Sequence, residues 1–277
     1  MSEPAIFNGL VIAWFALAAA VFIALFFVAA PYGRHARSGW GPNIATKTGW
    51  IIMEAGAPLV FAACFVFGTN TNTLTVLVFL ALWEAHYIHR AFIYPFSLRD
   101  NARQMPLAVV GLQPDTQPPI HSRDNGRRMP LAIVGFGLLF NMVNGYLNGR
   151  YIFTFSTSYT NEWLADPRFA VGLALFIAGF IINRQADGVL RRLRGSGETD
   201  YRIPYEGLYR WISCPNYFGE VIIWTGWAVA TWSLPGLAFA SWTAANLVPR
   251  ARSHHRWYQE HFPDYPPGRK ALLPGIW

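Results

Sequence analysis

Charge is what this 277-residue chain has least of: Asp, Glu, Lys and Arg make up 13% of it, against about 25% in an ordinary soluble domain. A soluble protein so poor in charge could not cover its own surface. Its two cysteines, Cys64 and Cys214, exclude a disulfide framework and a four-cysteine zinc site. No G-x-G-x-x-G follows a strand and no G-x-x-x-x-G-K-[ST] occurs, so a nucleotide would not be held by a Rossmann or P-loop device. There is no Gly-X-Y period either, and 21 Phe, 12 Trp and 12 Tyr exclude disorder.

Apolar residues are 53% of the chain. Seven apolar stretches match or approach the roughly 20 helical residues that cross a hydrocarbon core. They run over Ile6–Ala29, Gly49–Gly68, Leu74–Phe96, Pro130–Ile152, Arg168–Leu190, Phe218–Trp232 and Leu234–Val248. The last two are short and meet at Ser233-Leu234-Pro235, which predicts a tight helical hairpin. The expected fold is an all-α integral membrane protein, a seven-helix bundle forming one domain over residues 1–277. Residues 1–152 hold spans one to four, and residues 168–277 hold spans five to seven. The leader Met1-Ser2-Glu3-Pro4 lacks the basic region of a signal peptide.

The loops after spans one, three and five, with the C-terminal tail, hold 18 of the 22 Lys and Arg. By the positive-inside rule the N-terminus is outside and the C-terminus cytoplasmic. Short termini without a retention signal favour a bacterial inner membrane over the endoplasmic reticulum. The net charge of +7 thus marks a membrane address, and nucleic acid is not expected as a partner. The longest inner loop contains a near-duplication, Arg99–Gly111 and Arg123–Gly135, matching at 10 of 13 positions. Two copies are too few for a solenoid and read as a local loop enlargement.

Ionisable groups inside spans are costly and mark chemistry. Glu54 in span two has no cation within a helical turn, and could donate a hydrogen bond as the neutral acid or pair with a neighbouring helix. Span three carries Glu84, His86, Tyr87, His89 and Arg90. Tyr87, Arg90 and Tyr94 share a face, and a phenol suits donation to a carbonyl oxygen. The seven histidines are scattered, and no metal site is expected. Asn141, Asn144 and Asn148 line one stripe of span four, suited to interhelical hydrogen bonds.

Toward the cytoplasmic side, Asn183, Asp187, Arg191 and Arg194 descend one face of span five. Guanidinium forks suit phosphate and carboxylates suit ribose hydroxyls, although a lipid-anchoring cluster is the competing reading. Tyr201-Arg202-Ile203-Pro204, then Ser213–Glu220, then the stripe Arg250, His254 and Tyr258 place further Arg, Asn, His and Tyr at the same face. Together they point to a wrapped anionic ligand.

From Asn183 onward the chain resembles the steroid 5-alpha-reductases. The blocks INRQADGVLRRLR, GETDYRIPYEGLYRWISCPNYFGE, ATWSLPGLAFA, PRARSHHRWY and DYPPGRKALLP carry the resemblance. Tyr32-Gly33-Arg34-His35, Trp50-x-x-x-Glu54 and HYIHRAFIYP extend it more thinly to the N-terminal half. The resemblance implies a membrane oxidoreductase that uses NADPH to reduce the carbon–carbon double bond of a 3-oxo-4-ene steroid or similar lipophilic enone. Hydride goes to the β-carbon, while Glu54 and Tyr87 hold the ketone oxygen. It implies cofactor contacts at Asn183, Asp187, Arg194, Tyr201, Arg202, Asn216, Glu220, Trp224, Arg250, His254 and Tyr258. An arginine between spans three and four is filled by Arg127, ahead of Arg103. Trp50 and Met53 are the expected substrate contacts, and Met53 stands where the family pattern has Gln. Relatives that reduce polyprenols, enoyl thioesters or sterol rings are the alternative, as is an S-adenosylmethionine-dependent membrane methyltransferase, which would not need several phosphate-binding arginines.

Overall fold

A computed structural model describes residues 2–27, 41–97, 128–193 and 202–277. Helices dominate it: α1 Glu3–Phe27, α2 Thr46–Val66, α3 Leu74–Ile88, α4 Tyr94–Ser97, α5 Leu131–Arg150, α6 Pro167–Arg192, α7 Pro215–Thr231 and α8 Leu234–His261. The all-helical expectation misses one small feature. Strands β1 (Asn43–Ala45) and β2 (Arg128–Pro130) pair antiparallel, with Ile44 opposite Met129.

Among the described residues, five helical stretches are long and apolar enough to cross a membrane: Glu3–Phe27, Thr46–Val66, Leu74–Phe96, Leu131–Phe155 and Pro167–Arg192. They coincide with the first five expected spans. The remaining two helices differ from those five for identifiable reasons. α7 has 17 residues, about 26 Å of helix at 1.5 Å per residue, short of a hydrocarbon core of about 30 Å. α8 has 28 residues but runs beyond Val248 into a polar stretch from Arg250 to His261. The hairpin between them forms as expected. Trp232 turns the chain at φ 44°, and Ser233 caps α8 by accepting from Gly236 N at 3.1 Å.

The chain divides into two compact units. The first contains α1, α6, α7, α8 and the C-terminal tail. Its close approaches are made by small residues: a Cβ on Gly179 of α6 would meet Gly219 O at 2.6 Å, and one on Gly226 of α7 would meet Phe176 N at 2.5 Å. Gly172 and Gly179 on α6 face Gly226 and Gly219 on α7, so both helices bring backbone to backbone. α1 lies on α8, with Trp14 and Trp242 ring centroids 5.4 Å apart. The tail returns along the segment before α7, where Ser213 N donates to Lys270 O (2.8 Å) and Lys270 N to Trp211 O (2.9 Å).

The second unit contains β1, α2, α3, α4, β2 and α5. Its core is aromatic, with Phe61 stacked on Trp83 at 4.5 Å and edge-on to Phe153 at 4.9 Å. Between α3 and α4 the helix widens into a π-turn over His89–Ile93. Pro95, one turn on, lacks the N–H that would bond the Ala91 carbonyl, and a wider turn accommodates that loss.

Candidate active site

In the second unit α2 is the organising element. Glu54 is buried, and Arg90 from the π-turn donates Nε to its Oε1 at 3.2 Å. The cation absent from the Glu54 helical turn thus arrives from 36 residues away in sequence, and Glu54 is no lone carboxyl. Trp50, one turn before Glu54, donates its indole N–H to the Arg90 carbonyl at 3.1 Å and lies beneath the Arg90 guanidinium at 5.4 Å. Tyr94 packs on Trp50 at 5.8 Å. A π-turn displaces side chains from ordinary helical positions, and here it carries Arg90.

Tyr87 is 2% exposed and donates from Oη to Asn141 Oδ1 at 3.4 Å, at the long end of hydrogen bonding. Asn141 in turn donates Nδ2 to the Met53 carbonyl at 2.9 Å. Through Asn141, Tyr87 is therefore tied to Met53, the residue next to Glu54 on α2. The Met53 side chain lies against α5, where a Cβ on Gly137 would run into its Sδ. Asn141 performs the interhelical bonding expected of its stripe, while Asn148 bonds the Asn144 carbonyl of its own helix at 3.1 Å.

In the first unit the close α6–α7 approach sets Asn183 against α7. Its amide donates to Asn216 O at 3.0 Å and to Glu220 Oε2 at 3.1 Å. Trp224 donates to the other Glu220 oxygen at 3.3 Å. Glu220 is thus anchored by the helices themselves. A second group forms around Tyr217: its hydroxyl meets His254 Nε2 at 3.1 Å, and Arg250 lies over its ring at 5.3 Å. Tyr258, the third member of the α8 stripe, stacks on Tyr265 at 5.2 Å. Asp187 sits one turn beyond Asn183, and Arg202 is exposed. Arg127, Arg194, Tyr201, Arg103 and the Tyr32–His35 motif lie outside the described residues.

Sequence reasoning named Ser213 only as part of a segment and assigned no role to His255, Tyr265 or Tyr209. Ser213 Oγ lies 2.6 Å from both His255 Nδ1 and Tyr265 Oη. Burial, then the positive charges of Arg269 and Lys270, hold the His255 pKa below its ordinary value. The buried Tyr209 phenol is pushed well up, by burial first and by Asp187 next, so it stays a neutral donor. No periodic pattern in the sequence marks these residues, because they meet through the returning tail.

Residues 127–277 match the family described as 3-oxo-5-alpha-steroid 4-dehydrogenase. The chain belongs to that family. It is accordingly an oxidoreductase acting on CH–CH groups. It is 37% identical to a steroid 5-alpha-reductase DET2 of Gossypium hirsutum, over 100% of this chain and 99% of that protein. It is 37% identical to 3-oxo-5-alpha-steroid 4-dehydrogenase 1 of Bos taurus, over 94% of this chain and 92% of that protein. The Homo sapiens 3-oxo-5-alpha-steroid 4-dehydrogenase 1 is 33% identical, over 88% and 85% respectively. The family match takes in the whole α6–α8 polar set, whereas Glu54 and Tyr87 lie in the part reached by the full-length relatives. These relatives are plant and mammalian, which gives the expected bacterial inner membrane no support.

Proposed function

We propose that this chain is a single seven-span membrane domain that reduces the carbon–carbon double bond of a 3-oxo-4-ene steroid, or a similar lipophilic enone, with NADPH. In this reading the N-terminus is outside and the C-terminus cytoplasmic, as the cation distribution indicates, and α7 and α8 complete the bundle. The observation that carries the reading is a buried pair, Glu54 on α2 and Tyr87 on α3. Glu54 is held by Arg90 and Tyr87 is held by Asn141, inside the second and third expected spans.

The chemistry of the first unit fits a dinucleotide. Arg250, His254 and Tyr217 offer guanidinium, imidazole and phenol within reach of one another, and such donors suit phosphate oxygens. Asp187, half-buried on α6, suits a ribose hydroxyl. Asn183, Asn216, Glu220 and Trp224 form a hydrogen-bonded wall that fixes amide and carboxylate positions. Arg127, Arg194, Tyr201, Arg202 and Tyr258 are further proposed contacts. NADPH, when bound, supplies a hydride equivalent.

The chain's own part is to polarise the ketone. As the β-carbon gains hydride, the ketone oxygen becomes enolate-like until a proton reaches the α-carbon, and donors aimed at that oxygen are worth more in the transition state than in the ground state. Tyr87 donates by exchanging Asn141 for the ketone. Glu54 donates only as the neutral acid, so its pairing with Arg90 makes Tyr87 the principal donor and Arg90 the group that orients Glu54. Trp50 and Met53 flank this point on α2 and are the proposed substrate contacts. Melting-temperature shifts test the cofactor. NADPH is expected to stabilise the purified protein and S-adenosylmethionine is not. The opposite pattern would replace the reductase reading with a methyltransferase one.

A further inference from the structure

Span three carries a carboxyl that none of the groups described above uses. Glu84 stands near the middle of Leu74–Phe96 and is half-buried. Its Oε1 is shielded from solvent and has no hydrogen-bond partner among the described residues. A carboxyl so placed carries a proton at far lower cost than a charge. Packing does not call for it, because an apolar side chain would fill the same turn without an unmet polar atom.

The reduction leaves one chemical demand unassigned. Hydride on the β-carbon makes an enolate, and the α-carbon must then take a proton inside an apolar bundle. Among the described residues of the second unit, Glu54 and Glu84 are the two carboxyls. Glu54 is engaged by Arg90, which leaves Glu84. Three residues separate Glu84 from Tyr87, a spacing that makes side chains of one helix neighbours. Helical side chains lean toward the N-terminus, and Tyr87 follows this rule by packing on the Trp83 ring at 5.1 Å. Its hydroxyl end is thereby carried back along the helix toward the turn that holds Glu84.

We infer that Glu84 is the proton reservoir behind Tyr87. The inference rests on the reductase reading and gives its proton a source. Tyr87 passes its hydroxyl proton to the α-carbon, where a C–H bond forms as the enolate pair returns to the carbonyl. The Glu84 O–H bond breaks to restore the phenol. The carboxylate left on Glu84 then takes its next proton from water. One proton is consumed for each hydride, and no further reactant is needed.

The test compares wild type, Glu84→Gln and Glu84→Asp in steady-state reduction of a 3-oxo-4-ene steroid across pH, in H2O and in D2O. Glu84→Gln keeps the shape and loses the proton, whereas Glu84→Asp keeps an acid. The melting-temperature shift with NADPH shows that each variant is folded. Glu54 and Cys64 on α2, with His86, Tyr87, His89 and Arg90 on the same stretch, are the other titratable groups near this point, and all stay in place. Glu84→Gln is expected to lower kcat about 10²-fold, the range for a lost acid, with KM held and a larger solvent isotope effect. Wild-type kcat is expected to fall at alkaline pH as the reservoir empties, and Glu84→Gln to lack that limb. Glu84→Asp is expected to recover part of the rate. Wild-type kcat with an unchanged pH profile in Glu84→Gln overturns the reservoir, as does a loss confined to KM. Turnover by wild type beside such an unchanged variant sinks only this inference. No turnover by wild type on any enone sinks the reductase reading and this inference with it.

Discussion

Tyr87 carries the heaviest chemical demand of any side chain in the proposed mechanism. Replacing it by Phe removes the hydroxyl and keeps the ring against Trp83. The expected effect is a fall in kcat of about 10²–10³, the usual loss for one donor to a developing oxyanion, with NADPH affinity held. Unchanged turnover would remove Tyr87 from the mechanism. Glu54 is tested by a pair of variants. Glu54→Gln retains an N–H donor and Glu54→Leu does not, so steady-state kinetics should show the Gln variant faster. Equal losses would mean that pairing with Arg90 is the whole of the Glu54 role. His255 makes a prediction about stability. Its pKa is depressed in the folded state, so the unfolded chain binds the proton more tightly. The associated stability is present above the unfolded value of about 6.5 and is lost as pH falls below it toward the folded pKa. The melting temperature should therefore drop on acidification from about pH 7 to about pH 5.5, and His255→Gln should flatten part of that slope. At this scale the sequence showed which residue types sit where apolar ones belong. It could not show that Arg90 meets Glu54, because the π-turn after α3 and the separate helix α2 must both form first.

Helices were the most legible level. Long apolar runs gave α1, α2, the stretch from α3 through α4, α5 and α6 to within a few residues, since a span must satisfy its own backbone. The hairpin of α7 and α8 was legible through Ser233 and Pro235. The extension of α8 to His261 was not, because its polar half gives no apolar run to follow. The β1–β2 ribbon escaped notice because three-residue strands are too short for an alternating pattern. The α6–α7 contact is the element on which the proposed cofactor wall depends. A methyl group at Gly219 would meet Asn183 N at 2.6 Å, so Gly219→Ala must push α6 away from α7. Thermal or denaturant unfolding should show a loss of about 1–3 kcal/mol, accompanied by weaker NADPH binding as Asn183 leaves Glu220. Wild-type stability and binding in this variant would show that the two helices have slack.

For the whole molecule, composition and cation distribution carried most of what could be known in advance. The scarcity of charge led to a membrane protein built of apolar helices, and the excess of Arg led to the proposed orientation. The joining of α1 to the C-terminal helices within one unit had no sequence signal, since both surfaces are simply apolar. The topology is checked by cysteine-accessibility labelling with a membrane-impermeant reagent in right-side-out membranes. Ser2→Cys should react from outside and a cysteine at Gly275 only after permeabilisation, whereas the reverse would invert the proposed orientation. The central claim is that this chain moves hydride from NADPH to the β-carbon of an enone. It is tested most directly by incubating the purified protein with a 3-oxo-4-ene steroid and NADPH carrying deuterium at the transferable C4 position, then locating the label in the product by NMR. The account predicts one deuterium at the former β-carbon of a saturated ketone. Deuterium at the carbonyl carbon, giving an alcohol with the double bond intact, would contradict it.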